Sequence, residues 1–261
     1  MNEEAYVLRQ EQDGVATLTL NRPKSRNALS KGMIDALRSE FDELASNQAV
    51  RVVILAGAGP AFCAGHDLKE MRGACYGRDY AEKLFSDCAE LMKSIVRLPK
   101  PVIARVHGIA TAAGAQLVAS ADLAIAATDA HFATPGVNIG LFCSTPMVAL
   151  SRNLSNKQAM QMLMLGELID ADTALRFGLV NEIVAPEILE VSALGMARKI
   201  ADKSPLTVAI GKAAFYRQSE MTLDQAYTYT ADIMVKNLEA RDAQEGIDAF
   251  VDKRQPTWCG R

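Results

Sequence analysis

Hydrophobic and polar positions follow the period of strands near the start of the chain and then the period of a helix. Residues 6–10 and 15–20 are short segments of the first kind, and they flank Asp13-Gly14, a dipeptide typical of tight hairpin turns. Ser30, a residue type that caps helices, comes shortly before a set of apolar residues at helical spacing. The set is Met33, Ile34, Leu37, Phe41 and Leu44. The pattern therefore predicts a β-hairpin followed by an amphipathic helix.

A strand, a glycine-containing loop and a helix then recur along the chain. The run 52–56 leads into Gly57-Ala58-Gly59, and the run 102–106 leads into a small-residue segment, 110–115, that is typical of the start of a helix. A third strand of this kind is expected at 122–127. Strands that alternate with helices indicate an α/β fold with mainly parallel pairing.

The last third of the chain is dominated by helical spacing. A helix is expected after Pro146, and past about residue 155 the pattern stays helical apart from a short strand predicted at 179–184. No linker or low-complexity segment separates this part from the rest. We therefore divide the chain into an α/β core at 1–195 and a helical segment at 196–261 that packs on the core or on another subunit.

Composition and charge exclude several classes of protein. Of the 261 residues, 49% are apolar and 23% are charged, and the net charge is −3, which fits one globular core and offers no basic stripe for nucleic acid. No apolar run reaches the roughly 18–20 residues of a membrane span, and residues 1–4 lack the basic character of a targeting signal. The five cysteines include no CxxC pair, so no metal site is expected. We predict a cytoplasmic protein whose partner is a small molecule or another protein.

Two glycine-containing loops are the first candidates for chemistry. Gly57-Ala58-Gly59 follows a strand, but a dinucleotide-binding fingerprint needs glycine or alanine where this chain has Phe62. The sequence also lacks the phosphate-binding, nucleophile-elbow and HExxH zinc motifs. A loop between a strand and a helix leaves backbone N–H groups free, and two such loops facing one site would stabilise an oxyanion. The simpler alternative is that small residues only let helix and strand pack closely.

Segments that lie in order along nearly the whole chain resemble the enoyl-CoA hydratase/isomerase (crotonase) superfamily. They are 21–24 (NRPK) with 27–29 (NAL), 61–70 (AFCAGHDLKE), 108–114 (GIATAAG) and 245–254 (EGIDAFVDKR). The resemblance implies a repeated β-β-α core with mainly parallel sheets, a C-terminal helical oligomerisation segment, and assembly as a trimer or a dimer of trimers. It also implies an acyl-coenzyme A thioester as substrate, so that coenzyme A enters with the substrate and no separate cofactor is expected.

The same resemblance assigns roles to individual residues. The backbone N–H groups of His66 and Ala113 would hold the thioester oxygen in an oxyanion hole. Phe250 and Lys253 match groups that a neighbouring subunit contributes to the coenzyme site. Within the chain, the positions that match the coenzyme-binding end are Lys24, Ala28, Ala64 and Leu68. Arg26 is a further cation that could bind the phosphates.

Two positions depart from a hydratase. The family uses two glutamates to hold water and transfer protons, and the corresponding residues here are Gln116 and Gly136. Gln116 can hold a water but cannot exchange a proton at neutral pH, and Gly136 has no side chain. Residues 110–120, 132–138 and 140–146 resemble most a subgroup of the family that also lacks both glutamates. Hydration by the usual route is therefore not expected.

Three functions stay open on this basis. The first is a lyase or isomerase of this family that acts on acyl-coenzyme A thioesters by stabilising an enolate oxyanion. The second is a non-catalytic acyl-CoA-binding or scaffold protein that keeps the pocket without the carboxylates. The third is a malonyl-type acyl-CoA decarboxylase, because a histidine after an Ala-Gly pair, here His66, also resembles decarboxylases of the family, whose chemistry needs fewer proton-transfer groups.

Residues beside these positions have plainer interpretations. Asp67 is expected to cap a helix that begins at Leu68 rather than to abstract protons, and Cys143 to be a buried, inert thiol rather than a nucleophile. Trp258 is expected in packing or at an interface. Candidates for binding water or capping the next helix are Ser144 and Thr145, and candidates for lining the acyl pocket are Thr134 and Asn138.

Overall fold

The computed structural model describes residues 5–261 of the chain. Residues 1–4, from which the absence of a targeting signal was inferred, lie outside the described residues. The strands are β1 Val7–Gln12, β2 Val15–Leu20, β3 Val52–Gly57, β4 Val102–Val106, β5 Ile109–Thr111, β6 Leu123–Ala127, β7 His131–Ala133, β8 Ile169–Asp170 and β9 Glu182–Val184.

Among the described residues, helices alternate with strands up to β9, and only helices follow from there to the C-terminus. They are α1 Lys31–Ser46, α2 Leu68–Gly73, α3 Arg78–Arg97, α4 Ala113–Ser120, α5 Ser144–Asn153, α6 Asn156–Leu165, α7 Ala171–Phe177, α8 Leu189–Ala201, α9 Pro205–Gln218, α10 Leu223–Glu239 and α11 Arg241–Val251. Short 3-10 helices span Pro23–Ser25, Pro135–Ile139 and Pro186–Ile188. No helix within residues 5–261 is long and apolar enough to cross a membrane.

The opening hairpin and the following helix form as the sequence predicts. Asp13 and Gly14 both have positive φ, at 53° and 76°, as the tight turn between antiparallel β1 and β2 requires. Ser30 is the N-cap of α1, and its side chain accepts a hydrogen bond from the Met33 N–H. The five apolar residues at helical spacing are the buried face of α1.

A six-stranded sheet forms the centre of the fold, with the order β1-β2-β3-β4-β6-β9. The β1–β2 pair is antiparallel and every later pair in this sheet is parallel. A second sheet has the order β5-β7-β8 and includes one parallel and one antiparallel pair. The structure is therefore the α/β fold with mainly parallel sheets that the pattern predicts.

Both faces of the central sheet are buried, which explains why its strands are continuous apolar runs. On one face, Val53 and Leu55 of β3 join a large core that also includes the buried faces of α1 and α3. On the other face, Val52 and Ile54 pack with α8. Four residues of α8 line that second core: Leu189, Ala193, Ala197 and Ala201. The expected division at residues 195/196 thus lies inside one continuous helix whose buried face spans both sides of it.

Three local expectations differ from the structure. Residues 110 and 111 belong to strand β5 rather than to a helix, because β5 pairs with β7, and tertiary pairing overrides the helical preference of alanine. Helix α5 begins before Pro146, whose missing N–H is not needed in a first turn. The strand predicted at 179–184 is confined to β9.

A buried ion pair fixes α9 to the core. Lys212 Nζ lies 2.6 Å from Asp122 Oδ2 and also donates to the carbonyls of Ile95 and Lys100. Tyr216 donates to the second oxygen of Asp122 at 2.9 Å. The chain end packs on the connection between α8 and α9, where the Trp258 indole donates to the Asp202 carbonyl at 2.8 Å. Trp258 is therefore a packing residue within the chain.

Replacing Lys212 by Met is expected to lower the free energy of unfolding by about 3 kcal/mol, because it leaves the Asp122 carboxylate without its cation in a buried position. Urea unfolding followed by circular dichroism measures the loss. Lys203→Met, at an exposed lysine, is the control and should change stability by less than about 0.5 kcal/mol. Equal effects of the two substitutions would contradict the importance of the pair.

Candidate active site

Three chain segments that are far apart in sequence are joined backbone to backbone at the site. The Leu29 N–H donates to the Gly65 carbonyl at 2.7 Å. The Cys63 N–H donates to the Ile109 carbonyl at 3.1 Å, so the loop 61–67 lies between the segment before α1 and strand β5. The two glycine-containing loops of the sequence analysis therefore face each other directly.

Glycine is required where these loops touch. Gly65 has a φ of +89°, and a Cβ placed on it would lie 2.8 Å from the Cβ of Ala112 and 3.3 Å from the Ala113 nitrogen. A Cβ on Gly114 would lie 2.1 Å from the Cys63 carbonyl oxygen. Distances this short exclude any side chain at either position, so the backbones of the two loops are in contact.

Two backbone donors are left free at this contact. Among residues 5–261, no hydrogen bond has the N–H of His66 or of Ala113 as its donor. Ala113 is the first residue of α4, where the N–H lacks a partner within the helix and the helix dipole is positive. Ala112 before it adopts φ 50° and ψ −117°, a strained conformation for a residue with a side chain. Free donors and strain together are typical of a site that binds an anion or an oxyanion.

The His66 side chain is a neutral group at the edge of this site. Its ring makes an edge-on contact with Phe85, with ring centroids 5.3 Å apart. Burial lowers the pKa of His66 to about 4, so the imidazole is uncharged at neutral pH. Its Nε2 atom is buried without a hydrogen-bond partner among the described residues.

Gln116 lies one turn into α4, on the same face of the helix as Ala113. Its side chain is held by a hydrogen bond from Nε2 to the Thr145 carbonyl at 3.1 Å, and the residue is only 4% exposed. If the amide were flipped, Gln116 Oε1 and the Thr145 carbonyl oxygen, which are both acceptors, would face each other, so Nε2 is the atom that faces Thr145. The Oε1 atom is therefore an acceptor aimed away from Thr145, without a partner among the described residues.

Gly136 is closed to any side chain. A Cβ at this position would lie 2.5 Å from the Leu141 carbonyl oxygen and 2.8 Å from Cys143 Sγ. Burial raises the pKa of the Cys143 thiol, and the Gly136 N–H near the sulfur opposes this only in part. The thiol therefore stays protonated at neutral pH, which fits the inert cysteine that the sequence analysis expects. Cys143 rather than Ser144 or Thr145 is the N-cap of α5, so the capping role predicted for those two is wrong.

The residues matched to the coenzyme end lie together on one side of the loops. Lys24 and Arg26 are exposed in and after the first 3-10 helix. The Ala64 N–H donates to the Arg26 carbonyl at 3.0 Å, and Ala28, directly before the Leu29–Gly65 bond, is 7% exposed. Leu68 is 54% exposed at the start of α2. The backbone bonds thus hold Arg26 and Ala28 against the loop 61–67, and Leu68 directly follows that loop.

Asn27 is a site residue whose role the sequence alone does not reveal. It is fully buried with a positive φ of 53°. Its amide donates to the carbonyls of Ala58 and Ala61 at 2.9 and 2.8 Å and accepts from the Arg22 N–H at 2.8 Å. Asn27 thus fastens the segment that carries Lys24 and Arg26 to the loop after β3. The available signal was an asparagine in a loop, a residue that tolerates positive φ and bonds backbone groups.

Asp67 caps α2 as predicted. Its side chain accepts hydrogen bonds from the N–H groups of Lys69 and Glu70, and it forms an ion pair with Arg22 at 3.0 Å. Burial acts to raise the pKa of Asp67, but the bonds from Glu70 and Arg22 outweigh it, so the pKa lies below its ordinary value. The carboxylate is therefore ionised and occupied, which is unsuited to a general base.

The remaining candidates divide between the pocket and the surface. Thr134 is fully buried, whereas the Asn138 amide is bonded to the Gly166 carbonyl at 3.1 Å. Phe250 and Lys253 lie at the end of α11 and just beyond it, and no hydrogen bond or ion pair among residues 5–261 joins them to the site loops. Helix α11 itself packs on α9 and α10. The described residues also include no cluster of acidic, histidine and cysteine side chains that could hold a metal.

One protein family matches nearly the whole chain. The family described as "Enoyl-CoA hydratase/isomerase" matches residues 10–261. The chain is 49% identical to rat enoyl-CoA hydratase domain-containing protein 3, mitochondrial, over 248 residues, which are 95% of this chain and 82% of that protein. The subgroup that the segments within 110–146 resemble is that of this relative, and the resemblance is confirmed.

Two solved structures are similar over almost their full length. Enoyl-CoA hydratase of Mycobacterium smegmatis is 54% identical with a TM-score of 0.95, covering 98% of this chain and 99% of that one. Human enoyl-CoA hydratase domain-containing protein 3 is 46% identical with a TM-score of 0.94, covering 97% and 100%. The predicted crotonase-like fold is therefore confirmed.

The predicted cytoplasmic location is wrong on the same comparison. The rat and human relatives are both named mitochondrial proteins. The prediction relied on composition and on the first residues, and location depends on addressing signals that the pattern of a folded core does not contain.

Gly114→Ala is expected to lower the free energy of unfolding by about 3 kcal/mol, because the added methyl group would overlap the Cys63 carbonyl and push the two loops apart. Thermal unfolding measures the loss. The matched control is Gly195→Ala in α8, where a Cβ meets nothing within 4 Å and alanine should add about 0.5–1 kcal/mol of stability. Unchanged stability in Gly114→Ala would contradict the close contact of the loops.

Proposed function

Because the chain belongs to the enoyl-CoA hydratase/isomerase family, we propose that it acts on acyl-coenzyme A thioesters by holding the thioester oxygen between two backbone N–H groups. The family is one of enzymes, as the sequence predicts. The observation that supports the proposal is that the N–H groups of His66 and Ala113 are both free where Gly65 approaches Ala112 closely.

The proposed chemistry is stabilisation of an enolate. When a bond or proton at C2 of the acyl group is lost, its electron pair moves onto the thioester oxygen, which becomes an oxyanion. Two fixed N–H donors and the positive end of α4 stabilise that charge more than they stabilise the neutral carbonyl. Each such donor is typically worth about 3 kcal/mol to the transition state.

The coenzyme would lie along the edge that carries Lys24, Arg26, Ala28, Ala64 and Leu68. Lys24 and Arg26 are exposed and form no ion pair among the described residues, so their charges are available to phosphate groups. The two alanines place no large side chain along this edge. The buried Asn27 side chain supports this role, because it fixes the segment that presents both cations.

The chain is proposed to assemble as a trimer or a dimer of trimers. The C-terminal helices expose large apolar side chains that a monomer would leave in water, an arrangement typical of subunit interfaces. The most exposed are Leu223, Tyr227, Met234, Phe250 and Val251, at 68–85%. Such an interface would allow Phe250 and Lys253 to reach the coenzyme site of a neighbouring subunit.

The reaction at C2 and C3 is proposed to differ from ordinary hydration. Gln116 offers an amide and Gly136 offers no side chain, and the site close to Gly136 is filled by the Leu141 carbonyl and the Cys143 thiol. This closure is also the observation that favours a second candidate, an acyl-CoA-binding protein without turnover. A malonyl-type decarboxylase is the third, since loss of CO₂ from the acyl group yields the same enolate without a base.

Crotonyl-CoA is expected to be hydrated at least about 100-fold more slowly than by a family member with both glutamates, because general acid–base catalysis contributes about 100- to 10,000-fold. Loss of the enoyl absorbance measures the rate, and CO₂ release from methylmalonyl-CoA is followed in parallel. Hydration at the ordinary rate of a hydratase would contradict the expectation that Gln116 and Gly136 cannot replace the two glutamates. Release of CO₂ would select the decarboxylase, and binding without turnover the binding protein.

Lys24→Ala and Arg26→Ala are each expected to weaken coenzyme A binding about fivefold, because each removes a charged hydrogen-bond donor at an exposed site, worth about 1 kcal/mol. Isothermal titration calorimetry measures the affinity. Lys157→Ala, at an exposed lysine of α6, is the matched control and should not change it. Absence of coenzyme A binding in the unmodified protein would refute the proposed function.

A further inference from the structure

Five buried side-chain polar atoms of the described residues have no hydrogen-bond partner. Within residues 5–261 the atoms concerned are His66 Nε2, Tyr80 Oη, Asp87 Oδ2, Gln116 Oε1 and Thr134 Oγ1. Asp87 is accounted for by the ion pair with Lys83 at 2.9 Å. Folded proteins satisfy nearly all buried polar atoms, so a cluster of exceptions calls for a functional explanation.

Gln116 is explained by the proposed function, because its free acceptor can hold a water or a hydroxyl group near the reacting carbons. His66 Nε2 and Tyr80 Oη are not explained by it. The backbone of His66 supplies the oxyanion donor, but no step described so far uses its ring. Tyr80 lies on α3, outside every segment matched to the coenzyme.

The loop 61–67 and the start of α2 meet α3 beside the free backbone donors, and we call this region one wall of the site. The His66 ring packs on Phe85 of α3, and Tyr80 packs against the main core one turn before Leu84 on the same helix. Tyr80 is also close enough to Asp67, the residue after His66, to feel its charge. Two partnerless polar atoms therefore lie beside the oxyanion loop.

The side chains of this wall suit an uncharged group of a ligand. Burial lowers the pKa of His66, and burial together with Glu70 and Asp67 raises the pKa of Tyr80, so both side chains are neutral at physiological pH. The cation in contact with this wall, Arg22, is already paired with Asp67. A carboxylate placed here would lie close to the negative charges of Asp67 and Glu70, whereas a hydroxyl or carbonyl group would find a hydrogen-bond partner.

We propose that the acyl pocket selects coenzyme A thioesters whose acyl group carries an uncharged hydrogen-bonding substituent, a hydroxyl or a carbonyl, held by His66 Nε2 and Tyr80 Oη. The inference rests on the proposed function, because it concerns the acyl part of the same ligand. Selection arises because an unsubstituted chain leaves both buried atoms unpaired, and an uncompensated polar atom discriminates more strongly than an added apolar contact.

Calorimetric titration with matched pairs of acyl-CoA esters tests this inference. The pairs are butyryl-CoA with 4-hydroxybutyryl-CoA and valeryl-CoA with 5-hydroxyvaleryl-CoA, and succinyl-CoA supplies the charged case. At least one hydroxylated ester is expected to bind about tenfold more tightly than its unsubstituted counterpart. Succinyl-CoA is expected to bind more weakly than butyryl-CoA. In Tyr80→Phe the ratio within the preferred pair should fall to about threefold, because only His66 Nε2 remains to bind the substituent.

The control is Tyr76→Phe, at a tyrosine that is 70% exposed in the connection between α2 and α3, and it should retain the preference. Thermal unfolding of Tyr80→Phe without ligand gives a second measurement, since removal of a partnerless buried hydroxyl should leave stability unchanged or raised. Equal binding within both pairs, or a preference that is undiminished in Tyr80→Phe, would overturn the inference while leaving the proposed function intact. Failure of all the esters and of coenzyme A to bind would instead refute the proposed function.

Discussion

The contact between the Cys63 carbonyl and Gly114 is the constraint on which the rest of the site depends. A Cβ on Gly114 would lie 2.1 Å from that oxygen, so the loop after β3 and the start of α4 meet through their backbones alone. Because they meet in this way, Gly65, the residue before His66, lies against Ala112 and Ala113 at the start of α4. A donor pair of this kind costs no reorganisation when negative charge develops.

The side chains around this donor pair are neutral, and this limits what the site can do. His66 is uncharged, Gln116 is an amide, and the Cys143 thiol is protonated and packed against Gly136. Asp67 is ionised but is occupied by the α2 cap and by Arg22. None of these four side chains is suited to proton exchange at neutral pH, so the proposed stabilisation of an oxyanion relies on fixed backbone dipoles. Selectivity then falls to hydrogen bonds with the acyl group, for which His66 and Tyr80 supply the unpaired atoms.

The C-terminal helices differ from one another in how much of their surface is buried. Helix α8 belongs to the central sheet, since its buried face packs on Val52 and Ile54. Helix α9 is fixed by the Lys212–Asp122 pair, whereas α10 has no buried residue and presents apolar side chains outward. An exposed apolar face on a well-anchored support is suited to association with other subunits.

The sequence by itself determined the opening hairpin, the helix capped by Ser30, the parallel α/β core and the family. These follow from local periodicity, caps and motifs, which depend on residues near one another in the chain. Only the tertiary structure decided that residues 109–111 form a strand, that Asn27 holds its segment to the loop after β3, that Gly136 is closed by Cys143, and that the His66 ring packs on Phe85 of α3. Each of these depends on contacts between distant residues, and their geometry is set by packing that no local pattern encodes.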